Sequence, residues 1–221
     1  MIRPSPEIDT REQFARLCNL RGLKNFAVEI GVERAGFAVR FLQKWAGHKL
    51  WCIDPWRDDL EGYHEPDLTR FDREPDFLMT CAALARFDRR VTIKRTTSEA
   101  AAPRYPDGLF DFIYHDANHA YPFISRDLAA WWDKLQPAGI YAGHDFDEAN
   151  HPGVARAVRE FAAEKGLDVL LTHEPHYRSW YIYKTPPLRL FESAEETLRQ
   201  IAFLERQASR DDETIDTDPG A

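Results

Sequence analysis

Cysteine is scarce: Cys18, Cys52 and Cys81 are the only three in 221 residues. They are widely separated, odd in number and form no C-x-x-C pair, which argues against a disulfide framework or a zinc knuckle and fits a reducing cytoplasm. Positive charge is also short. Asp and Glu number 37 against 29 Lys and Arg, a net charge of -8, so broad contact with nucleic acid or an anionic membrane is not expected. Long apolar runs are missing too. Met1-Ile2-Arg3-Pro4-Ser5-Pro6 has no signal-peptide stretch and no segment approaches membrane-spanning length, so the expectation is a soluble chain with a small-molecule partner. There are no internal repeats, and the length suits one α/β domain.

A local absence is more informative. The segment Ala27-Val28-Glu29-Ile30-Gly31-Val32-Glu33-Arg34-Ala35-Gly36 keeps the first and third glycines of a nucleotide-binding turn, but Glu33 stands where the second belongs. In a dinucleotide site that glycine lets the backbone approach a pyrophosphate, and a carboxylate there would face two phosphate charges. A cationic ligand tolerates it. S-adenosylmethionine (SAM), with a sulfonium, an ammonium and a ribose diol but no phosphate, suits such a turn.

Around this turn, short β-branched or aromatic runs alternate with longer stretches of helical periodicity, which is the pattern of βαβ units. Strands are expected at 25–30, 49–53, 91–94, 110–114, 140–143, 168–172 and 179–183. Helices are expected at 10–20, 35–45, 76–87, 121–135 and 151–165. Only residues 174–178 separate the last two strands, too few for a parallel crossover, so that pair must be antiparallel. An amphipathic helix at 192–208, with Leu198, Ile201, Phe203 and Leu204 on one stripe, is read as a packing or homodimer surface. The domain is thus placed at 1–208 with its core at 24–184, and the acidic tail at 209–221 is expected to be disordered.

Ligands of such sheets bind beyond the carboxyl ends of the strands, and acids and imidazoles recur there. Glu29 closes an apolar strand, where a carboxylate is costly unless a ligand cation or the loop's amides pair with it. Asp54, about twenty residues past the glycine turn, can accept both hydroxyls of a ribose or simply begin the turn at Pro55. Asp116 and His144-Asp145 follow strands joined by one crossover helix, close enough to share Mg²⁺ or another divalent ion; alternatively Asp116 caps a helix and Asp145 orders its loop. His119 has the pKa range of a general base for a hydroxyl proton, or it serves backbone groups at a helix start. Thr97-Ser98 either approach an adenine edge or cap the next helix. His115 is read as structural, and Trp131-Trp132 with Leu128 and Leu135 as a cover for the sheet.

Taken together, Glu29-Ile30-Gly31-Val32 with Gly36, Ile53-Asp54-Pro55, the run Phe110 to His119 and the run Leu135 to Asp145 resemble the class I SAM-dependent methyltransferases. The nearest group is the small bacterial type similar to macrocin and catechol O-methyltransferases. The resemblance runs from about Lys24 to Lys184. It implies a doubly wound, Rossmann-like α/β fold with strand order 3-2-1-4-5-7-6, strand 7 reversed and helices on both faces. It also implies roles: Glu29 and Gly31 along the methionine part of SAM, Asp54 on the ribose, Thr97-Ser98 near adenine, Asp116 and Asp145 at acidic metal positions, and His119 as the catalytic histidine. His144 departs from the pattern, where relatives carry a carboxylate or amide.

The activity expected on these grounds is O-methylation of a small or sugar-like acceptor. Asn118-His119 would orient it, and a lid at 57–73 carrying Tyr63 and His64 would recognise it. Three rivals use the same residues: an NAD-dependent oxidoreductase, against which Glu33 argues, a metal-dependent hydrolase built on Asp116, His119, His144 and Asp145, and a non-enzymatic SAM-binding protein.

Overall fold

The inner strands are buried on both faces, as a parallel sheet covered by two helical layers requires. In the fourth strand, β4 (Phe110–His115), every residue is buried, Asp111 included. The Asp111 carboxylate is offset by the backbone N–H of Asn25, which donates to its Oδ2 at 2.6 Å. A computed structural model describes residues 8–57 and 73–184, all within a compact unit that ends at Lys184. The expected lid, apart from Arg57 and Arg73, the helix at 192–208 and the acidic tail lie outside the described residues.

The other strands are β1 (Phe26–Ile30), β2 (Lys49–Asp54), β3 (Val91–Arg95), β5 (Leu135–Phe146), β6 (Leu170–Leu171) and β7 (Arg178–Tyr183). They form one seven-stranded sheet in the order β3-β2-β1-β4-β5-β7-β6, parallel except for β7, which runs against both β5 and β6. The expected order and the reversed strand are both present. Among the described residues, no helix is long and apolar enough to cross a membrane.

Helices α1 (Phe14–Leu20), α2 (Gly36–Lys44) and α3 (Glu74–Leu84) cover one face, where Phe14, Phe37, Phe41 and Leu84 share one apolar cluster with Phe112 and Tyr114. Helices α4 (Ser98–Ala101), α5 (Tyr121–Trp132) and α6 (Pro152–Glu164) cover the other, where Ile124, Leu128, Trp131 and Val158 meet Ile113 and Tyr141. The apolar stripe of α2, Phe37-Ala38 and Phe41-Leu42, recurs every helical turn and is the buried face. Proline in the first turn starts α3, α5 and α6, where its missing N–H has no helical partner to lose.

Several boundaries differ from the sequence expectation. The leading helix begins as a 3-10 turn at Arg11–Gln13, and β6 keeps only two residues of the expected five. Strand β5 starts early at Leu135, because a register shift opposite Phe110 and Phe112 absorbs Pro137-Ala138-Gly139, with Ala138 at a φ of 63°. Helix α5 ends at Trp132, and α4, the helix that Thr97-Ser98 were read as able to cap, spans only four residues, too few to carry a readable periodicity.

Candidate active site

The first turn of the site is shaped by a collision that only glycine avoids. Gly31 has a φ of +82°, and a Cβ there would lie 2.1 Å from the carbonyl oxygen of Asp116 and 2.7 Å from Cα of Ala117. The turn after β1 and the loop after β4 therefore meet backbone to backbone, with Asp116 N donating to Ile30 O at 2.8 Å. Glu33 adopts a φ of 49°, so the turn keeps a glycine-like conformation at the glutamate. Gly36 differs: a Cβ there would meet nothing nearer than an Arg40 side-chain nitrogen at 3.9 Å, and no close approach demands glycine.

Asp54 clamps this turn. Its Oδ2 accepts from Val32 N at 2.8 Å and Glu33 N at 3.0 Å, while Oδ1 accepts from Trp56 N at 2.7 Å. The Glu33 carbonyl is held in turn by Trp56 Nε1 at 2.8 Å and Thr80 Oγ1 at 2.7 Å. Beside it, Glu29 is only 2 % exposed, and its Oε2 has no hydrogen-bond partner among the described residues. Burial, followed by the nearby Asp116 and Asp54 carboxylates, pushes the Glu29 carboxyl well above the ordinary carboxylate range, with Arg11 acting in the opposite direction.

The other side of the site is a cluster of side chains. A shift of register between Gly143 and Phe146, with Asp145 at a φ of 55°, breaks the alternation of β5. His144 and Asp145, which a regular strand would send to opposite faces, both line the cavity. His119 Nε2 lies 2.9 Å from Asp145 Oδ2, and His144 Nδ1 lies 3.1 Å from Asp145 Oδ1. Burial alone would raise the Asp145 carboxyl, but the hydrogen bonds and charges of His119 and His144 outweigh it and hold it far below the usual range. Asp116 Oδ1 is 3.9 Å from His119 Nε2 and 4.0 Å from His144 Nδ1, and Arg11 Nη1 is 3.7 Å from Asp116 Oδ2. Potential ligand atoms of Asp116, His144 and Asp145 all lie within 4.8 Å of one another, as do those of His119, Asp145 and His151.

One cavity of about 690 Å³ gathers these groups, within the range of small-molecule sites. Glu29, Gly31, Gly36, Asp54, Thr97, Ser98, Asp116, His119, His144 and Asp145 all line it. Thr97 Oγ1 caps α4, accepting from Ala100 N at 3.3 Å, and Ser98 Oγ donates to Asp127 Oδ1 at 2.6 Å. Asn118 Oδ1, not Asp116, serves the start of α5, accepting from Ala120 N at 2.9 Å. Arg11, Phe123, Asp127, His151 and Tyr177 also line the cavity and were not singled out from sequence. His151 had a readable signal in its position just after β5. Arg11, in a 3-10 turn ahead of the first strand, had none.

A family model described as a methyltransferase domain matches residues 28–146, from within β1 to the end of β5. The chain belongs to this methyltransferase family. No curated relative matches the sequence. Among solved structures, the O-methyltransferase NovP is 16% identical with a TM-score of 0.60, covering 80% of this chain and 78% of that one. An O-methyltransferase from Bacillus cereus in complex with SAH is 15% identical, TM-score 0.56, covering 79% and 80%. TomG from Streptomyces achromogenes, an O-methyltransferase of tomaymycin synthesis in complex with SAM, is 14% identical, TM-score 0.54, covering 78% of each chain. At these identities the likeness establishes the fold, which is that of the class I methyltransferases.

Proposed function

We propose that this methyltransferase uses SAM and methylates a hydroxyl of a small, polar acceptor. The observation that carries the reading is Glu29: a buried carboxylate with an unpartnered oxygen, beside Asp54 in a cavity whose glycine turn carries an acid. Such a group is expensive when empty and is relieved by a cation. Bound SAM supplies an electrophilic methyl group on a sulfonium, and transfer breaks that S–CH3 bond as the acceptor oxygen forms its own bond to carbon. The chain's part is positioning and proton removal. His119 takes the hydroxyl proton, and Asp145 Oδ2, 2.9 Å from Nε2, stabilises the imidazolium that forms.

Asp116, His144 and Asp145 would hold a divalent cation, which would polarise the acceptor oxygen. Asp145 belongs to both of the groupings it forms with histidines, so cation binding and the His119–Asp145 contact compete for one carboxylate. The neighbours that are O-methyltransferases, two of them with SAM or SAH bound, support oxygen as the acceptor atom. Family membership favours transfer over hydrolysis or NAD-linked oxidation. The test is methyl-labelled SAM offered with a panel of hydroxylated acceptors, in Mg²⁺ and in EDTA. Label in an ether product supports the reading. Tight SAM binding with no transfer to any acceptor overturns it in favour of a binding protein, and equal rates in EDTA overturn the cation.

A further inference from the structure

The two groupings that share Asp145 differ in chemistry, and the proposed mechanism uses only one of them as a cation site. Asp116, His144 and Asp145 offer two carboxylates and one imidazole, whereas His119, Asp145 and His151 offer two imidazoles and one carboxylate. Oxygen-rich sets suit Mg²⁺, and imidazole-rich sets suit zinc, copper or nickel. His151 has no part in the proposed proton removal, yet its ring lies against the base: the His119 and His151 ring centroids are 4.4 Å apart, and the Tyr177 ring lies 5.7 Å from that of His151.

Three separate segments bring these donors together. His119 belongs to the loop between β4 and α5, Asp145 to the bulge of β5, and His151 stands immediately ahead of α6. Gly153 joins the first segment to the last. A Cβ there would lie 2.6 Å from the His119 carbonyl oxygen and 2.8 Å from Tyr121 N, so the first turn of α6 sits backbone to backbone on the loop that carries His119. The His151 main chain is tied on both sides, its N–H donating to Asp147 O at 3.0 Å and its carbonyl accepting from Val154 N at 3.1 Å. His119 Nε2 is already 2.9 Å from Asp145 Oδ2, and the three residues offer one ligand atom each, all within 4.8 Å of one another. Zinc with bonds of about 2.0–2.2 Å sets its ligands about 3.3–3.6 Å apart, so side-chain rotations of about an ångström complete the set. Three protein ligands leave a fourth tetrahedral position, which opens to the cavity that all three residues line.

We propose that His119, Asp145 and His151 form a second metal site, selective for a borderline transition ion such as Zn²⁺, whose occupation takes the His119 lone pair and stops methyl transfer. The metal-binding half stands on these three residues alone, while the inhibition rests on the reading of His119 as the base. An imidazole nitrogen bound to a cation has no lone pair left for a hydroxyl proton, and the contact of His119 with Asp145 Oδ2 gives way to two metal bonds.

The experiment titrates Zn²⁺ by calorimetry, and Co²⁺ as a visible probe, into the full chain stripped of metal with EDTA and then freed of chelator. Wild type should bind zinc saturably, and zinc should displace the cobalt. His151→Ala should weaken zinc binding by about 100-fold or more, since losing even a supporting contact to a metal ligand costs about 10- to 100-fold. His144→Ala breaks the other grouping and spares this one, so its zinc affinity should stay close to wild type. A larger loss in His144→Ala than in His151→Ala assigns the ion to the other grouping and overturns the proposal. Where His151→Ala fails to fold, X-ray absorption of the zinc-loaded wild type decides, because fewer than two imidazoles on the ion sinks the site. Zinc should also inhibit methyl transfer in Mg²⁺, and in His151→Ala, measured against its own zinc-free rate, the inhibition should need about 100-fold more zinc. Zinc held by these residues with transfer undiminished overturns the inhibition and His119 as the base. Absence of zinc binding in wild type overturns this inference and leaves the methyl-transfer reading untouched.

Discussion

The two walls of the cavity are built by different means. Around the turn after β1, side-chain carboxylate meets backbone: Asp54 takes three amide N–H groups, and Gly31 brings two loops into main-chain contact. Around the loops after β4 and β5, side chain meets side chain, with His119 and His144 both on Asp145 and Asp116 beside the two imidazoles. A wall fixed by backbone bonds has one geometry and suits an invariant cofactor. A wall of imidazoles and carboxylates can exchange protons or take up a cation, as chemistry on an acceptor requires.

That contrast breaks most sharply at His119. His119→Ala should lower the methyl-transfer rate by about 10²- to 10⁴-fold, the range of a lost general base, while leaving S-adenosylhomocysteine affinity within about threefold. Single-turnover rates and calorimetry separate the two effects, and a parallel fall in affinity would merge the walls into one unit.

Gly31→Ala attacks the backbone-built wall. The new Cβ would press on main-chain atoms of Asp116 and Ala117, which cannot swing away as a side chain end would, in a residue already at positive φ. A loss of about 3 kcal/mol in urea unfolding is expected, together with loss of cofactor binding. Gly36→Ala, which meets only an Arg40 nitrogen at 3.9 Å, should be close to neutral and serves as the control.

Asp54→Ala leaves the amides of Val32, Glu33 and Trp56 without their carboxylate and removes the expected ribose acceptor. Cofactor affinity should fall about 10- to 100-fold, with about 1–3 kcal/mol lost in stability. An unfolding loss of that size with affinity unchanged would reduce Asp54 to a turn residue.

The smallest expected effect is a pH slope. Burial and the Asp116 and Asp54 charges favour the protonated form of Glu29 in the unliganded fold, so its folded pKa lies above the unfolded value of about 4.3. Its contribution to stability is present in full below that value and is lost as pH rises toward the elevated pKa. Glu29→Gln stays neutral throughout, so it should match wild type near pH 4 and exceed it at neutral pH. Urea midpoints at the two pH values check this, and a variant less stable at neutral pH would mean that Glu29 is ionised and paired.

The same contrast explains what was legible beforehand. Strand order and the reversed β7 follow from hydrophobic runs and one short connection, and Glu29, Gly31 and Asp54 lie at spacings that a parallel sheet fixes. Asp116, His119, His144 and Asp145 could be placed near one another because adjacent strands end side by side. Their partners could not be read, since the Asp145 contacts depend on a bulge and a positive φ that no local pattern announces. Asp127 was hidden by helical periodicity, where an acid beside Leu128 on α5 reads as an ordinary solvent-facing residue.

The acid-lined turn is expected to select a cationic, phosphate-free nucleoside. Titration calorimetry of the wild-type protein with SAM and, separately, with NADH tests it most directly. Saturable one-site binding of SAM with no heat from NADH is the expected result; saturable heat from NADH and none from SAM would contradict it.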